Sequence, residues 1–320
     1  MHSNIYIRDG TLADREIFEK LLSISDVLVE NYRPGTMEKL GYGWDTLHAK
    51  YPNLIYGAVS GFGDSGPYSK QPAYDMVVQG MGGVMSMTGQ PGAPPTRVGV
   101  SIGDMTAALY LSIGILGAIY KRSQGGGVVK VDIAMLDCQL ALLEDALPAC
   151  LSLGEIAQPQ GSRHPEITPF QAYTTQDSYI VIAAGNDHLF NLMAQVLEQP
   201  DLLENLNYKT NALRHAHVDE LEADMEAALR HRTTQQWIEV LNNAGVPCGP
   251  VNTVAEVVND PQVAARHMIV SIPDPVIGNL QVAGNPIKMS GVPERISHMP
   301  PPSLDGDREA ILALLDDKHS

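Results

Sequence analysis

Positive charge is scarce in this chain. Its 320 residues carry 21 Lys and Arg against 37 Asp and Glu, a formal net charge of -16. That balance excludes a global basic footprint for nucleic acid. It also gives no long-range steering of an anionic ligand, so any phosphate has to be held by a local basic site. Cysteine is scarcer still. Cys138, Cys150 and Cys248 are scattered and odd in number, and no CxxC occurs. A disulfide framework or a structural zinc site is therefore not expected, and a reducing compartment is. The opening segment MHSNIYIRDGTLADREIF has no apolar h-region and does not read as a secretory signal. Long apolar runs are missing too. The longest uncharged apolar stretch, 105–120, is short for a membrane span and contains Thr, Ser and Gly, so it reads as a buried helix. What is left is a globular composition, 44% hydrophobic and 18% charged. The length suits two domains, or one with a large insertion.

Apolar periodicity organises the chain. Residues 12–23 and 44–50 read as helices, and 27–29 and 54–60 as short buried strands. Helix and strand in alternation argue for an α/β layer with parallel strands. A small-residue helix is expected over 74–87, a long buried helix over 101–122, a strand over 128–133 and a helix over 135–147. A polar, proline-containing linker follows. Beyond it come a strand at 179–184, helices at 188–197, 216–230 and 234–243, short strands at 269–272 and 286–289, and a final helix over 307–315.

Several motifs carry less than they promise. Gly61-Phe62-Gly63-Asp64-Ser65-Gly66 has GxGxxG spacing after a strand. A dinucleotide site needs a helix to open at the third glycine, and Pro67 and Tyr68 follow instead. The segment 63–67 also resembles the nucleophile segment of secreted serine proteases, without their disulfides or paired His motif. His215 and His217 lack a third suitably spaced ligand, so no metal is expected. Gly125-Gly126-Gly127 reads as a tight turn between helix and strand rather than a phosphate cradle.

Asp104, in SIGDMTAALYL, is the most informative single residue. Spacing alone favours a structural role, because Ser101-x-x-Asp104 matches a capping box. A functional role uses the same physics. The positive end of a helix lowers a carboxyl pKa and keeps it ionised. The adjacent Gly103 would admit a ligand closely, and the carboxylate could then act as a nucleophile towards an acyl group.

Read together, DVLVENYRPG (26–35), NLIYGAVSGFGDSGPY (53–68), QPAYDMVVQGMGGVMSMTG (71–89), PPTRVGVSIGDMTAALY (94–110) and NPIKMS (285–290) resemble the class III CoA-transferase family, which includes formyl-CoA transferase and the carnitine CoA-transferases. GSRHPEITPFQAY (161–173), AAGND (183–187) and AGVPCGPVN (244–252) extend the resemblance over almost the whole chain.

The resemblance implies an α/β fold, with a Rossmann-like large domain interrupted by a smaller α/β domain. It gives a large CoA-binding domain over 1–150, a linker over 151–165, a small domain over 166–245, and a return to the large domain over 246–320. It implies Asp104 as the nucleophile that takes an acyl group from a CoA thioester as a mixed anhydride and then becomes an aspartyl-CoA thioester. It places Asn31, Tyr32, Arg33 and Lys39 around the CoA nucleotide, and Ala73, Tyr74 and Asp75 along the pantetheine and active site. Without it, Arg33, Lys39 and Asp75 read as solvated surface charges.

The resemblance further implies an interlocked homodimer, with acyl-CoA and small carboxylic acids as partners and no permanently bound cofactor. No nucleic-acid or membrane partner is expected. The related α-methylacyl-CoA racemases carry His where this chain has Tyr74, and Tyr is a weak base near neutrality. Transfer is therefore favoured over racemisation. The family's first strand–glycine loop–helix unit has no counterpart in residues 1–20, and Gly10 stands where some relatives carry a basic residue. A remnant that binds without catalysing is accordingly the other class of reading. The compartment implied is cytoplasmic, or mitochondrial in a eukaryote.

Overall fold

The structure is a computed structural model that describes residues 3–7, 12–296 and 298–317. Gly10 lies outside the described residues. The chain divides into two compact units, 1–159 with 301–320, and 160–300.

The first unit holds α1 (Leu12–Ile24), β1 (Val27–Glu30), α2 (Thr36–Leu40), α3 (Trp44–Lys50), β2 (Ile55–Ser60), α4 (Asp75–Met81), α5 (Ile102–Ser123), β3 (Lys130–Ala134), α6 (Met135–Ala141) and α7 (Ala146–Leu153). The strands form a parallel sheet in the order β1-β2-β3, with Val27 opposite Ile55 and Tyr56 opposite Lys130. Its central strand is the continuous apolar run, as burial on both faces requires. Leu47, Leu54, Tyr56 and Leu22 form one buried cluster against the sheet, and Val78, Ala107, Met135 and Cys138 form another.

Helix α5 lies on the sheet because two glycines let it. A Cβ on Gly114 would come within 2.6 Å of Val131 Cγ1, and one on Gly57 within 3.0 Å of Leu111 Cδ1. The expectation of a buried helix over this stretch is half met. Met105, Leu109, Ile113, Leu116 and Tyr120, spaced three or four apart, are between 58 and 68% exposed. Length and composition alone would let this helix cross a membrane, yet its inner face is the packing face of a sheet.

Two helix expectations are corrected by local backbone. The helix expected over 74–87 stops at Met81, because Gly83 adopts φ 87° and only a 3₁₀ turn follows at Val84–Ser86. The one expected over 135–147 breaks into α6 and α7 around Glu144, which sits at φ 45°. Helix α7 runs to Leu153, so the segment expected to begin a linker at 151 is still helical.

The second unit contains β4 (Phe170–Thr174), β5 (Tyr179–Ala183), α8 (Asp187–Val196), α9 (Pro200–Glu204), α10 (Asn211–Ala216), α11 (Val218–Leu229), α12 (Thr234–Asn243), β6 (Cys248–Pro250), α13 (Val254–Val257), α14 (Pro261–Ala265), β7 (Ile269–Asp274) and β8 (Gly278–Ala283). An antiparallel sheet β4-β5-β6 packs on Phe190, Met193, Leu221, Met225 and Trp237. Helix α12 starts with a full capping box between Thr233 and Gln236. Strand β6 pairs with β5, so residues after 245 continue this unit, and the return to the first unit is confined to 301–320 and α15 (Arg308–Asp317). No strand forms at 286–289; the partner of β7 is β8, earlier in the chain at Gly278–Ala283, reached through a turn at Asp274–Gly278.

Candidate active site

The amino ends of α4 and α5 meet around two carboxylates. Asp104 is the third residue of α5 and is exposed. The helix start is not closed as spacing suggests: Ser101 is the N-cap but its side chain makes no capping bond. The cap comes from another helix. Gly103 N–H donates to Asp75 Oδ1 at 2.8 Å, which satisfies one of the free amides of the first turn. A Cβ on Gly103 would lie 2.8 Å from Val78 Cγ2 and 3.0 Å from Asp75 Oδ1. Glycine here admits the neighbouring helix.

Asp75 is buried at the start of α4, contrary to a solvated surface charge. Its Oδ2 accepts from Gln79 Nε2 at 2.7 Å, and Gln79 Oε1 accepts from Val98 N–H at 3.0 Å. The expected lowering of the Asp104 pKa by the helix end is reversed. Partial burial raises it, and the charge of Asp75 raises it further. Below them, buried Gln139 donates to Thr106 Oγ1 at 3.4 Å while its Oε1 has no partner.

A run of contacts links this point to the other expected residues. Asn31 Nδ2 donates to Val59 O at 2.7 Å, tying the end of β1 to the end of β2. Past β2, a Cβ on Gly61 would strike Ala73 Cβ at 2.3 Å. Ala73 leads through Tyr74, 78% exposed at the N-cap of α4, into Asp75. Asn31, Ala73, Tyr74, Asp75 and Asp104 thus follow one another along the carboxyl ends of the parallel strands and the helix starts beyond them, where open α/β sheets place ligands.

Tyr32 is exposed at the same edge and borders a cavity of about 520 Å³ whose walls include Arg15, Phe18, Val29 and Tyr42. Arg33 and Lys39 are exposed and enter no ion pair among the described residues. Lys39 sits in the last turn of α2.

The glycine segment 61–66 is a turn. Gly63 and Gly66 have φ 77° and 86°, no helix opens at Gly66, and Asp64 pairs with Lys130. Gly125 and Gly127 likewise turn the chain at φ 76° and 71°. His215 bonds Thr168 and His217 pairs with Glu220. No sequence motif marks Gln79. The available signal was its spacing, since Asp and Gln four apart on a helix can bond.

The sequence model of CoA-transferase family III matches residues 10–308. The chain belongs to CoA-transferase family III. An acetyl-CoA:oxalate CoA-transferase from Acetobacter aceti is 40% identical over 299 residues, which are 93% of this chain and 76% of that enzyme. A succinyl-CoA–D-citramalate CoA-transferase from Chloroflexus aurantiacus is 35% identical over 93% of this chain and 75% of its own. Among solved structures, a CAIB/BAIF family protein from Brucella suis superposes with a TM-score of 0.85 at 34% identity, over 98% of this chain and 81% of that one. This family III enzyme therefore has the family's α/β fold and is a CoA-transferase, and CoA thioesters are its substrates.

Proposed function

We propose that Asp104 is the acyl carrier of a CoA transfer between an acyl-CoA and a free carboxylic acid. The observation that carries this reading is the exposed Asp104 carboxylate held beside the buried carboxylate of Asp75. A raised pKa marks a more basic, more nucleophilic carboxylate. Acylation removes the Asp104 charge and with it the repulsion from Asp75. The interaction thus disfavours the free carboxylate relative to the covalent states, which is differential stabilisation in the useful direction.

The steps balance without any external acid or base. An Asp104 oxygen bonds the thioester carbonyl carbon, the C–S bond breaks, and CoA thiolate leaves. The thiolate attacks the Asp104 carbonyl carbon of the anhydride, giving an aspartyl-CoA thioester and releasing the donor acid. The acceptor carboxylate attacks that carbonyl carbon and forms a second anhydride as thiolate leaves. The thiolate then attacks the acceptor's acyl carbon, and Asp104 is free again.

For CoA itself the cations are local, as a charge of -16 demands. Exposed Arg33 and Lys39, in no ion pair among the described residues, supply phosphate contacts, and the Tyr32 ring at the mouth of its cavity supplies a stacking surface. Asn31 holds the strand end that carries them, while Ala73 and Tyr74 border the reacting end. The relatives named above act on acetyl- or succinyl-CoA with small dicarboxylates, and we take the same class for this chain. A second copy of the chain is the natural cover for the apolar stripe of α5. The test is Asp104→Ala, expected to abolish transfer while leaving the thermal unfolding transition intact. Wild-type turnover in that variant would end the proposal.

A further inference from the structure

Gln79 is fully buried, 0% exposed, and sits one turn after Asp75 on α4. Both ends of its side-chain amide are committed, and to partners of opposite kind. An amide nitrogen only donates and an amide oxygen only accepts. The carboxylate of Asp75 can take only the Nε2 end, and the N–H of Val98 can give only to the Oε1 end. One orientation of the amide satisfies both. Asp75 is equally committed: Oδ2 takes Gln79 and Oδ1 takes Gly103 N–H. Val98 belongs to the strap that leads from Pro94-Pro95 to Ser101 and so delivers Asp104 to its place.

We infer that Gln79 is a positioning residue for CoA transfer: its amide clamps the Asp75 carboxylate to the amino end of α5 and the strap to α4 at once, fixing the distance between the Asp75 and Asp104 carboxylates. This rests on the reading of Asp104 as acyl carrier. The clamp matters because the Asp75–Asp104 repulsion weakens as the two carboxylates separate or gain solvent between them. A carboxylate free to rotate away from Gly103 would relieve the repulsion before acylation does. The ring of bonds joins residues 75, 79, 98 and 103, and the missing Cβ of Gly103 lets it close.

The test uses the full chain, acetyl-CoA and succinyl-CoA as donors, and hydroxylamine to trap acyl-aspartate, read by peptide mass spectrometry under single-turnover conditions. Gln79→Met removes both bonds. We expect labelling of Asp104 to slow by about 10-fold or more, the equivalent of about 1.4 kcal/mol, with half-saturation for the donor changed less than about threefold. Gln79→Glu keeps an acceptor for Val98 N–H but turns a carboxylate towards Asp75, and should be as slow as Gln79→Met.

In an Asp75→Asn background, Gln79→Met should cost little more, because residues acting as one unit are not additive. Labelling restored by Gln79→Glu would mean that only the strap matters and would overturn the inference, as would full additivity with Asp75→Asn. Should Gln79→Met melt below the assay temperature, Gln79→Asn carries the same comparison, since its amide falls one methylene short. Wild-type chain that labels, beside a Gln79→Met variant that labels equally fast, removes the inference alone. Wild-type chain that turns over without labelling removes the carrier reading and the inference with it.

Discussion

Two carboxylates at one helix end would ordinarily be a fault, and here each is held there by a different force. Asp75 is buried because two N–H donors, from Gly103 and Gln79, replace the water it loses. Asp104 has no such compensation, so burial and its neighbour's charge raise its pKa. The sign of the pH dependence follows. Asp104 is nucleophilic only when ionised, and its ionisation is lost at a higher pH than for an ordinary carboxyl. The acid limb of kcat/KM should therefore lie at a higher pH than for an unperturbed aspartate, and Asp75→Asn should move it down. A pH–rate profile in which Asp75→Asn leaves the limb in place would contradict the electrostatic coupling.

Gly103→Ala tests the packing at the same point. Its Cβ would meet Val78 and Asp75 at 2.8 and 3.0 Å, so we expect a loss of about 1–3 kcal/mol, the usual range for overpacking, seen as a lower denaturation midpoint. At this scale the sequence was half legible. Asp104 stood out through motif resemblance. The capping box suggested by Ser101 did not form, because the actual cap comes from 28 residues upstream, a contact no local spacing encodes. Asp75 read as a surface charge for the same reason: its two donors are supplied by folding.

Among the elements, the sheet strands and the long helix α5 were readable because their apolar runs are long enough to show a period. The corrections cluster where one residue decides the backbone. Gly83 ended α4 early, and Glu144 divided α6 from α7 at positive φ. Burial of α5 is not legible in the sequence, because an uncharged helix looks the same whether its outer face meets protein or water. Its exposed stripe, five large apolar residues at spacings of three and four, is an amphipathic surface without its partner. We predict that the chain sediments as a dimer and that Ile113→Asp yields monomer with the circular dichroism spectrum unchanged. A wild-type monomer by analytical ultracentrifugation would remove the second copy as the cover of this face.

For the whole molecule, the expected division at 245 gave way to a unit reaching 300, because three residues, Cys248–Pro250, complete a sheet begun 78 residues earlier at Phe170. A strand that short carries no periodicity to detect. Net charge is legible from composition alone, and its consequence belongs to the molecule. With -16 overall, CoA phosphates depend on a few local cations. Arg33→Ala and Lys39→Ala should each raise KM for the CoA thioester about 3- to 10-fold, roughly 1 kcal/mol for an exposed charge-assisted contact. Turnover at saturation should be preserved, which steady-state kinetics at two ionic strengths would show. A fall in kcat with KM unchanged would move these residues out of the nucleotide site.

The most direct measurement is the mass of the peptide containing Asp104 after the full chain has been turning over acetyl-CoA or succinyl-CoA with a dicarboxylate acceptor and is quenched with hydroxylamine. The account predicts a hydroxamate on Asp104 that appears only when acyl-CoA is present. Turnover in the same preparation with Asp104 unmodified at every time point would contradict it.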